Sequence, residues 1–255
     1  MRNISLTLEY DGTGFSGWQM QPGTRTVQSE LAHAVSGLLG QAVAVTGASR
    51  TDAGVHAYGQ RANFKADFPI PTDRLKKAIN GFLPGDIRVT AAEEVDDSFH
   101  SRFSAKGKTY VYKVLNQSEP VVFFRNQMLH VPAVLDIDAM SRAALYFEGT
   151  HDFKAFSASN GELSGTAVRT IQRFRVTKDE NDIILLKVTG NAFLYKMVRM
   201  MAGALIDIGL RNNQPEAVLE ALSGTKARIG RTAQPQGLYL LKVYYDESEI
   251  LGELG

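Results

Sequence analysis

The chain has 255 residues, 44% hydrophobic and 22% charged, the composition of a globular protein large enough for one big domain or two small ones. It contains no cysteine, which excludes disulfides, thiolate metal sites and a cysteine nucleophile. A formal net charge of +1 announces no nucleic-acid partner by itself, and no apolar run approaches the ~18 residues a membrane span needs.

In chain order, Ile4, Leu6, Leu8 and Tyr10 alternate with polar residues, the period of a half-buried strand rather than of a signal peptide. A helix is expected over residues 26–39, with Leu31, Ala34, Val35 and Leu38 on one face and Gly40 at its end. Strand-like stretches follow at 42–46 and 59–64, then a helix at 72–80 and a strand at 87–95. The second half opens with a strand at 109–115. Asp136 is placed to cap a helix whose Met140, Ala143, Ala144 and Phe147 face inward. Residues 173–177 and 183–188 read as a hairpin. The strongest helical period runs over 192–210, through Leu194, Met197, Val198, Met201, Leu205 and Ile208. A short helix from Pro215 and a strand at 238–245 close the chain. Several strands and about two helices per half, with antiparallel-style alternation, predict an α+β architecture with helices on one face of a sheet.

Two features bear on function before any resemblance is considered. No acidic residue lies between Asp97 and Glu119, where Arg102, Lys106, Lys108 and Lys113 fall. None lies between Glu220 and Asp246, a stretch carrying Lys226, Arg228, Arg231 and Lys242. Such segregation can leave a basic face on a nearly neutral protein, though uneven surface statistics would read the same way. The stretch Gly12-Thr13-Gly14-Phe15-Ser16-Gly17 matches a dinucleotide-binding pattern after a strand. That pattern must open a helix, and the Pro22-Gly23 turn signal stands where the helix should run. The better reading is a tight loop that brings Tyr10, Asp11 or Trp18 near something functional.

Residues 48–57 (Ala-Ser-Arg-Thr-Asp-Ala-Gly-Val-His-Ala) place Arg50, Asp52 and His56 in a small-residue loop between two strands, where a rigid scaffold tends to present reactive groups. Two readings of Asp52 stand side by side: an Asx-turn onto the Gly54 amide, or a reactive carboxylate. No second histidine or carboxylate stands at metal-ligand spacing beside His56.

The Arg50-to-His56 segment resembles the signature of the tRNA pseudouridine synthase A family. Other segments resemble that family's motifs in the expected order. They are residues 8–19, from Leu8 to Gln19; residues 99–112, with Phe99-His100-Ser101-Arg102-Phe103-Ser104-Ala105 and Lys108-Thr109-Tyr110-Val111-Tyr112; residues 191–199, ending in Arg199; and Gly237-Leu238-Tyr239-Leu240. The resemblance implies that Asp52 is the catalytic aspartate and that Arg50 helps flip the target nucleotide. It further implies that Tyr110 lies against the target base, that Arg199 pairs with the aspartate, and that Leu238 contributes to substrate binding. It implies an isomerase without metal or cofactor, acting on uridines 38–40 of the tRNA anticodon stem-loop, cytoplasmic and homodimeric. The implied fold has two similar subdomains, 1–105 and 106–255, with antiparallel sheets joined into one extended sheet, helices on one side and a central catalytic cleft. Arg102, Lys106 and Lys108 are then expected to track the RNA backbone. A non-catalytic RNA-binding module and a hydrolase pairing Asp52 with His56 are the competing classes.

Overall fold

Residues 1–158, 165–227 and 229–254 are described by a computed structural model; Arg228, in the second acid-free stretch, lies outside them. The opening alternation forms β1 (Arg2–Tyr10), whose Ile4, Leu6 and Leu8 are fully buried. Then come α1 (Val27–Leu39), β2 (Val45–Gly47), β3 (His56–Ala66), α2 (Thr72–Asn80) and β4 (Ile87–Val95). The chain continues through β5 (Gly107–Leu115), β6 (Leu129–His130), α3 (Ile137–Leu145), β7 (Gly149–Asp152), β8 (Val168–Lys178) and β9 (Ile183–Gly190). It ends with α4 (Met197–Gly209), α5 (Ala217–Leu222), β10 (Leu238–Tyr244) and α6 (Glu247–Leu254). No helix among the described residues is long and apolar enough to cross a membrane.

The chain divides into two compact units, Met1–Lys106 with Tyr239–Glu247, and Gly107–Leu238 with Ser248–Gly255. Both are α+β. In the first unit the strand order is β4-β1-β3-β10, and β2 also pairs with β3. β1 runs antiparallel to both neighbours, Leu6 facing Ala62 on β3 and Ala92 on β4. β10 pairs with β3 in parallel, Tyr239 beside His56. Alternation along β10 reports which residues are buried and nothing of strand direction, so this parallel pair has no counterpart in the sequence reading. α1 and α2 pack together, with Leu31, Val35, Leu75 and Ile79 all fully buried. Each such aliphatic side chain contributes about 1.5–3 kcal/mol through burial. α1 starts at a reciprocal cap: the Ser29 amide donates to Thr26 Oγ1 and the Thr26 amide to Ser29 Oγ, both at 3.2 Å. It stops where Gly40 turns left-handed at φ 65°.

In the second unit the order is β5-β9-β8-β7, antiparallel throughout, with β6 added parallel to β5. α3 packs on β8 and α4 on β5. Asp136 caps α3 by accepting the Ala139 amide at 3.0 Å, as the sequence predicts. Phe147, Phe153, Phe156 and Phe174 form the aromatic centre of this unit, the Phe147 and Phe156 rings meeting edge-on at 4.9 Å.

α4 is shorter than its apolar period suggests, starting at Met197 rather than 192. The Asn191 side chain takes the amides of Ala192 (2.7 Å) and Thr170 (3.0 Å), which holds the chain against β8. Lys196, just before the helix, is left-handed at φ 58°, so helical geometry cannot propagate backward through it. Leu194 is buried from this non-helical segment, which is why the period seems to continue.

Candidate active site

Asp52 lies in the connection between β2 and β3, and that connection is held from outside. The stretch 12–17 forms a single 3-10 turn at Gly12–Gly14, capped by Asp11, and opens no α-helix. It then lies along residues 51–55. The Trp18 amide donates to the Thr51 carbonyl at 3.0 Å, and the Gly54 amide donates to the Phe15 carbonyl at 3.4 Å. The Gly54 donor that an Asx-turn would direct to the Asp52 carboxylate is thus aimed at Phe15. Within the loop, the Val55 amide closes a turn onto the Asp52 carbonyl at 3.1 Å.

Glycine is required where the two segments touch. A Cβ on Gly12 would overlap the Val55 carbonyl, and one on Gly17 would stand 2.6 Å from the Thr51 oxygen and 3.1 Å from the Asp52 carbonyl carbon. Gly17 also has φ +91°, which favours glycine by itself. From below, the Tyr10 hydroxyl meets Thr51 Oγ1 at 2.9 Å. Gln60, fully buried, accepts the Ser49 amide at 3.2 Å and donates to the Ser49 carbonyl at 2.7 Å. Ala48 and Thr51 are buried, Asp52 is half-buried, and Arg50 is exposed. A carboxylate is therefore presented from a backbone fixed on both sides, with an exposed guanidinium two residues earlier.

His56 is 2% exposed, and its Nδ1 lies 3.0 Å from the Gly12 nitrogen and 3.2 Å from Asp11 Oδ1. A neutral ring with its lone pair on Nδ1 accepts the amide; a protonated Nδ1 faces the carboxylate. Either way that nitrogen serves the 12–17 buttress, which weakens the hydrolase reading of Asp52 and His56. Burial works against ionisation of Asp11, but hydrogen bonds from Thr13 and the charge of His56 outweigh it and hold the carboxyl below its usual range. The His56 ring stacks on Tyr239 at 4.6 Å, and Tyr239 stacks on Tyr58 at 5.0 Å. Burial, then the neighbouring Tyr58 and Asp11, raises the Tyr239 hydroxyl well above the ordinary tyrosine value.

In the second unit, Tyr110 faces Val188 across β5 and β9, and its ring meets Phe193 edge-on at 5.1 Å. Arg199 lies in the first turn of α4 and is half-buried. Its Nε donates to the Ala233 carbonyl at 2.9 Å, and the Ala233 amide donates back to the Arg199 carbonyl at 3.0 Å. The Nε bond orients the guanidinium, and the backbone bond holds Ala233 against α4. Segment 230–233 can lie this close because Gly203 has no side chain, a Cβ there overlapping the Arg231 carbonyl. Nearby, the Tyr112 hydroxyl donates to the Gln234 carbonyl at 2.7 Å. Burial raises its pKa strongly against the opposing charge of Arg199. Leu238 is buried where the 3-10 turn Pro235–Gly237 leads into β10. Arg102 and Lys106 are exposed in the first unit, and Lys108 is half-exposed on β5.

The sequence suggested a tight loop that brings Tyr10, Asp11 or Trp18 near something functional; in the structure Tyr10 and Trp18 bond Thr51, and Asp11 caps the 12–14 turn. Gln60 and the Ala233 partner of Arg199 were missed. Gln60 looks like an ordinary alternating strand residue, and a backbone carbonyl carries no residue-type signal. Among the described residues, no three His, Asp or Glu side chains gather as a metal ion would require.

The sequence profile of a family described as tRNA pseudouridine synthase matches residues 7–104 and 143–246. The tRNA pseudouridine synthase A of Ruminiclostridium cellulolyticum is 48% identical over 248 residues, covering 96% of this chain and 100% of that protein. The protein of that name from Acetivibrio thermocellus is 45% identical over 246 residues, and the one from Caldicellulosiruptor bescii 43% identical over 248. Each of these alignments covers 96% of this chain and 100% of the relative.

Proposed function

The chain belongs to the tRNA pseudouridine synthase A family, isomerases that act on tRNA, and from that premise we propose that it converts uridines 38, 39 and 40 of the anticodon stem-loop to pseudouridine with Asp52 as its catalytic carboxylate. The observation that carries this reading is the double support of residues 51–55. The loop that resembles the family's aspartate motif meets the 12–18 segment through two hydrogen bonds and two side-chain-free approaches, which supports Asp52 as a group held with a fixed aim.

The reaction breaks the N1–C1′ bond, turns the base and joins C5 to C1′, with the C5 hydrogen leaving as a proton and the freed N1 taking one up. Atoms and electrons balance without an external reactant. A carboxylate beside the ribose serves either as a nucleophile at C1′ or the base, or as the group that removes a sugar proton. The target must leave the stack before it can turn, at a cost of about a few kcal/mol. Arg50, exposed two residues before Asp52, is the side chain to occupy the vacated space or hold a backbone phosphate. Tyr110 supplies a flat face for uracil. Arg199 supplies a fixed positive charge that favours an ionised carboxylate, and Leu238 an apolar contact for the base. The protein works as a cytoplasmic homodimer, as the family resemblance implies.

Transcripts in which uridine is kept at only one of positions 38, 39 and 40 test the site choice. Pseudouridine at each retained uridine, and none when all three are replaced by cytidine, is the expected pattern. Modification confined to another part of the tRNA would overturn the assignment.

A further inference from the structure

Phe103 is 77% exposed on a turn that is anything but loose. The Ser104 amide donates to the His100 carbonyl at 2.9 Å, and the His100 amide donates to Ser104 Oγ at 3.1 Å. His100 Nδ1 faces the amides of Arg102 and Phe103 at 3.2 and 3.3 Å, so the histidine caps the turn it begins. The turn is tied down behind as well. The Ser101 amide donates to Asn63 Oδ1 at 3.0 Å, the Tyr245 hydroxyl donates to the Ser101 carbonyl at 2.9 Å, and Asn3 Nδ2 donates to the Phe99 carbonyl at 3.0 Å. Asn3, Asn63 and Tyr245 belong to the same compact unit as the turn.

This anchoring holds an apolar ring in water. Phe103 gains no burial from it, and a polar residue would satisfy the turn equally well. One side of the ring is backed by His100, with centroids 4.3 Å apart, and the Arg102 guanidinium lies 5.6 Å from the Phe103 centroid. Arg102 and Lys106 are exposed, and no acidic residue occurs between Asp97 and Glu119. Asp97, at the near end of this stretch, is paired with Lys65 at 2.6 Å. A rigid, backed, exposed aromatic beside an arginine in an acid-free stretch has the chemistry of a stacking platform for an unpaired nucleobase, with the cation taking the adjoining phosphate.

We propose that Phe103 stacks on an unpaired base of the tRNA substrate and that Arg102 holds the neighbouring phosphate, a contact additional to the uridine being isomerised. The proposal rests on the tRNA reading above, and its test separates the two. Binding of unmodified tRNA transcript is measured directly, with release of tritium from uridine C5 followed in parallel.

Phe103→Ala is expected to weaken tRNA binding by about 5- to 150-fold, the range set by losing one stacked base. KM should rise by a similar factor while kcat at saturating tRNA stays near wild type. Phe103→Tyr and Phe103→Trp should restore binding, and Phe103→Leu should not. The one native tryptophan, Trp18, is 2% exposed. Emission from Phe103→Trp therefore reports this surface, and quenching on tRNA addition is expected. Arg102→Gln should lower the slope of log Kd against log salt by about 1, which Phe103→Ala should leave unchanged. Wild-type affinity in Phe103→Ala, full rescue by leucine, or unquenched tryptophan at saturating tRNA would overturn the proposal. Absence of tritium release by wild type would instead count against the tRNA reading.

Discussion

Gly17→Ala is the sharpest perturbation of the buttress under Asp52. The new methyl group adds strain at φ +91°, worth about 1–2 kcal/mol for a non-glycine residue. It also stands 2.6 Å from the Thr51 oxygen and 3.2 Å from the Ala53 nitrogen, so residues 51–53 must move. That motion threatens the Trp18–Thr51 and Gly54–Phe15 hydrogen bonds, each worth about 0.5–1.5 kcal/mol. Together these give a destabilisation of about 2–5 kcal/mol, read as a fall in the urea midpoint at unchanged m-value. A displacement of Asp52 by about 1 Å should lower kcat for tritium release by about 100-fold in protein that remains folded. Gly23→Ala is the matched control: its φ is +72°, but a Cβ there meets nothing within 4 Å. It should lose about 1–2 kcal/mol from strain alone and keep wild-type kcat. If Gly17→Ala behaved like Gly23→Ala in both measurements, the claim that this close approach fixes the Asp52 loop would be wrong.

Two further outcomes follow from the electrostatics. Burial, against the pull of Arg61, pushes Tyr245 up to about 12, so between pH 10 and 12 the unfolded chain holds fewer protons than the folded one and stability falls as pH rises. This single group should account for about 1–3 kcal/mol of that loss, and urea melts of Tyr245→Phe should show a correspondingly shallower alkaline limb. Asp11 has a depressed folded pKa, so its contribution is present above its unfolded value of about 3.9 and is lost as pH falls. Asp11→Asn should therefore be less stable than wild type at pH 6 and lose less stability between pH 5 and 3. Parallel acid limbs would refute that role.

Much of this architecture could be read from the chain because local and tertiary preferences agree. α2 and β4 occupy the predicted residues, since Leu75 and Ile79 fit one helical face and the β4 residues alternate. Asp136 starts α3 by ordinary capping chemistry, its side chain accepting the Ala139 amide. Elsewhere, non-local contacts decided. β6 has two residues and is defined by pairing with Val114 and Leu115. β7 is four polar or small residues that gain their form only beside β8. Tyr239–Glu247, a strand-like tail in sequence, group with the first unit through a parallel pairing that no periodicity encodes. At the site, a run of small residues carrying Arg50, Asp52 and His56 stood out as a loop, but that pattern left an Asx-turn and a reactive carboxylate side by side, and the resemblance alone singled out Asp52. Its support was half legible: Gly12 and Gly17 suggested a tight loop, but what approached them was visible only in three dimensions.

The most direct test of the central claim is tritium release from tRNA transcripts labelled at uridine C5, comparing wild type with Asp52→Asn. C5 loses its hydrogen when it becomes the glycosidic carbon, so release reports the isomerisation itself. The account predicts release by wild type and none by Asp52→Asn, with tRNA binding and the urea midpoint of the variant close to wild type. Release by Asp52→Asn at a wild-type rate would contradict it.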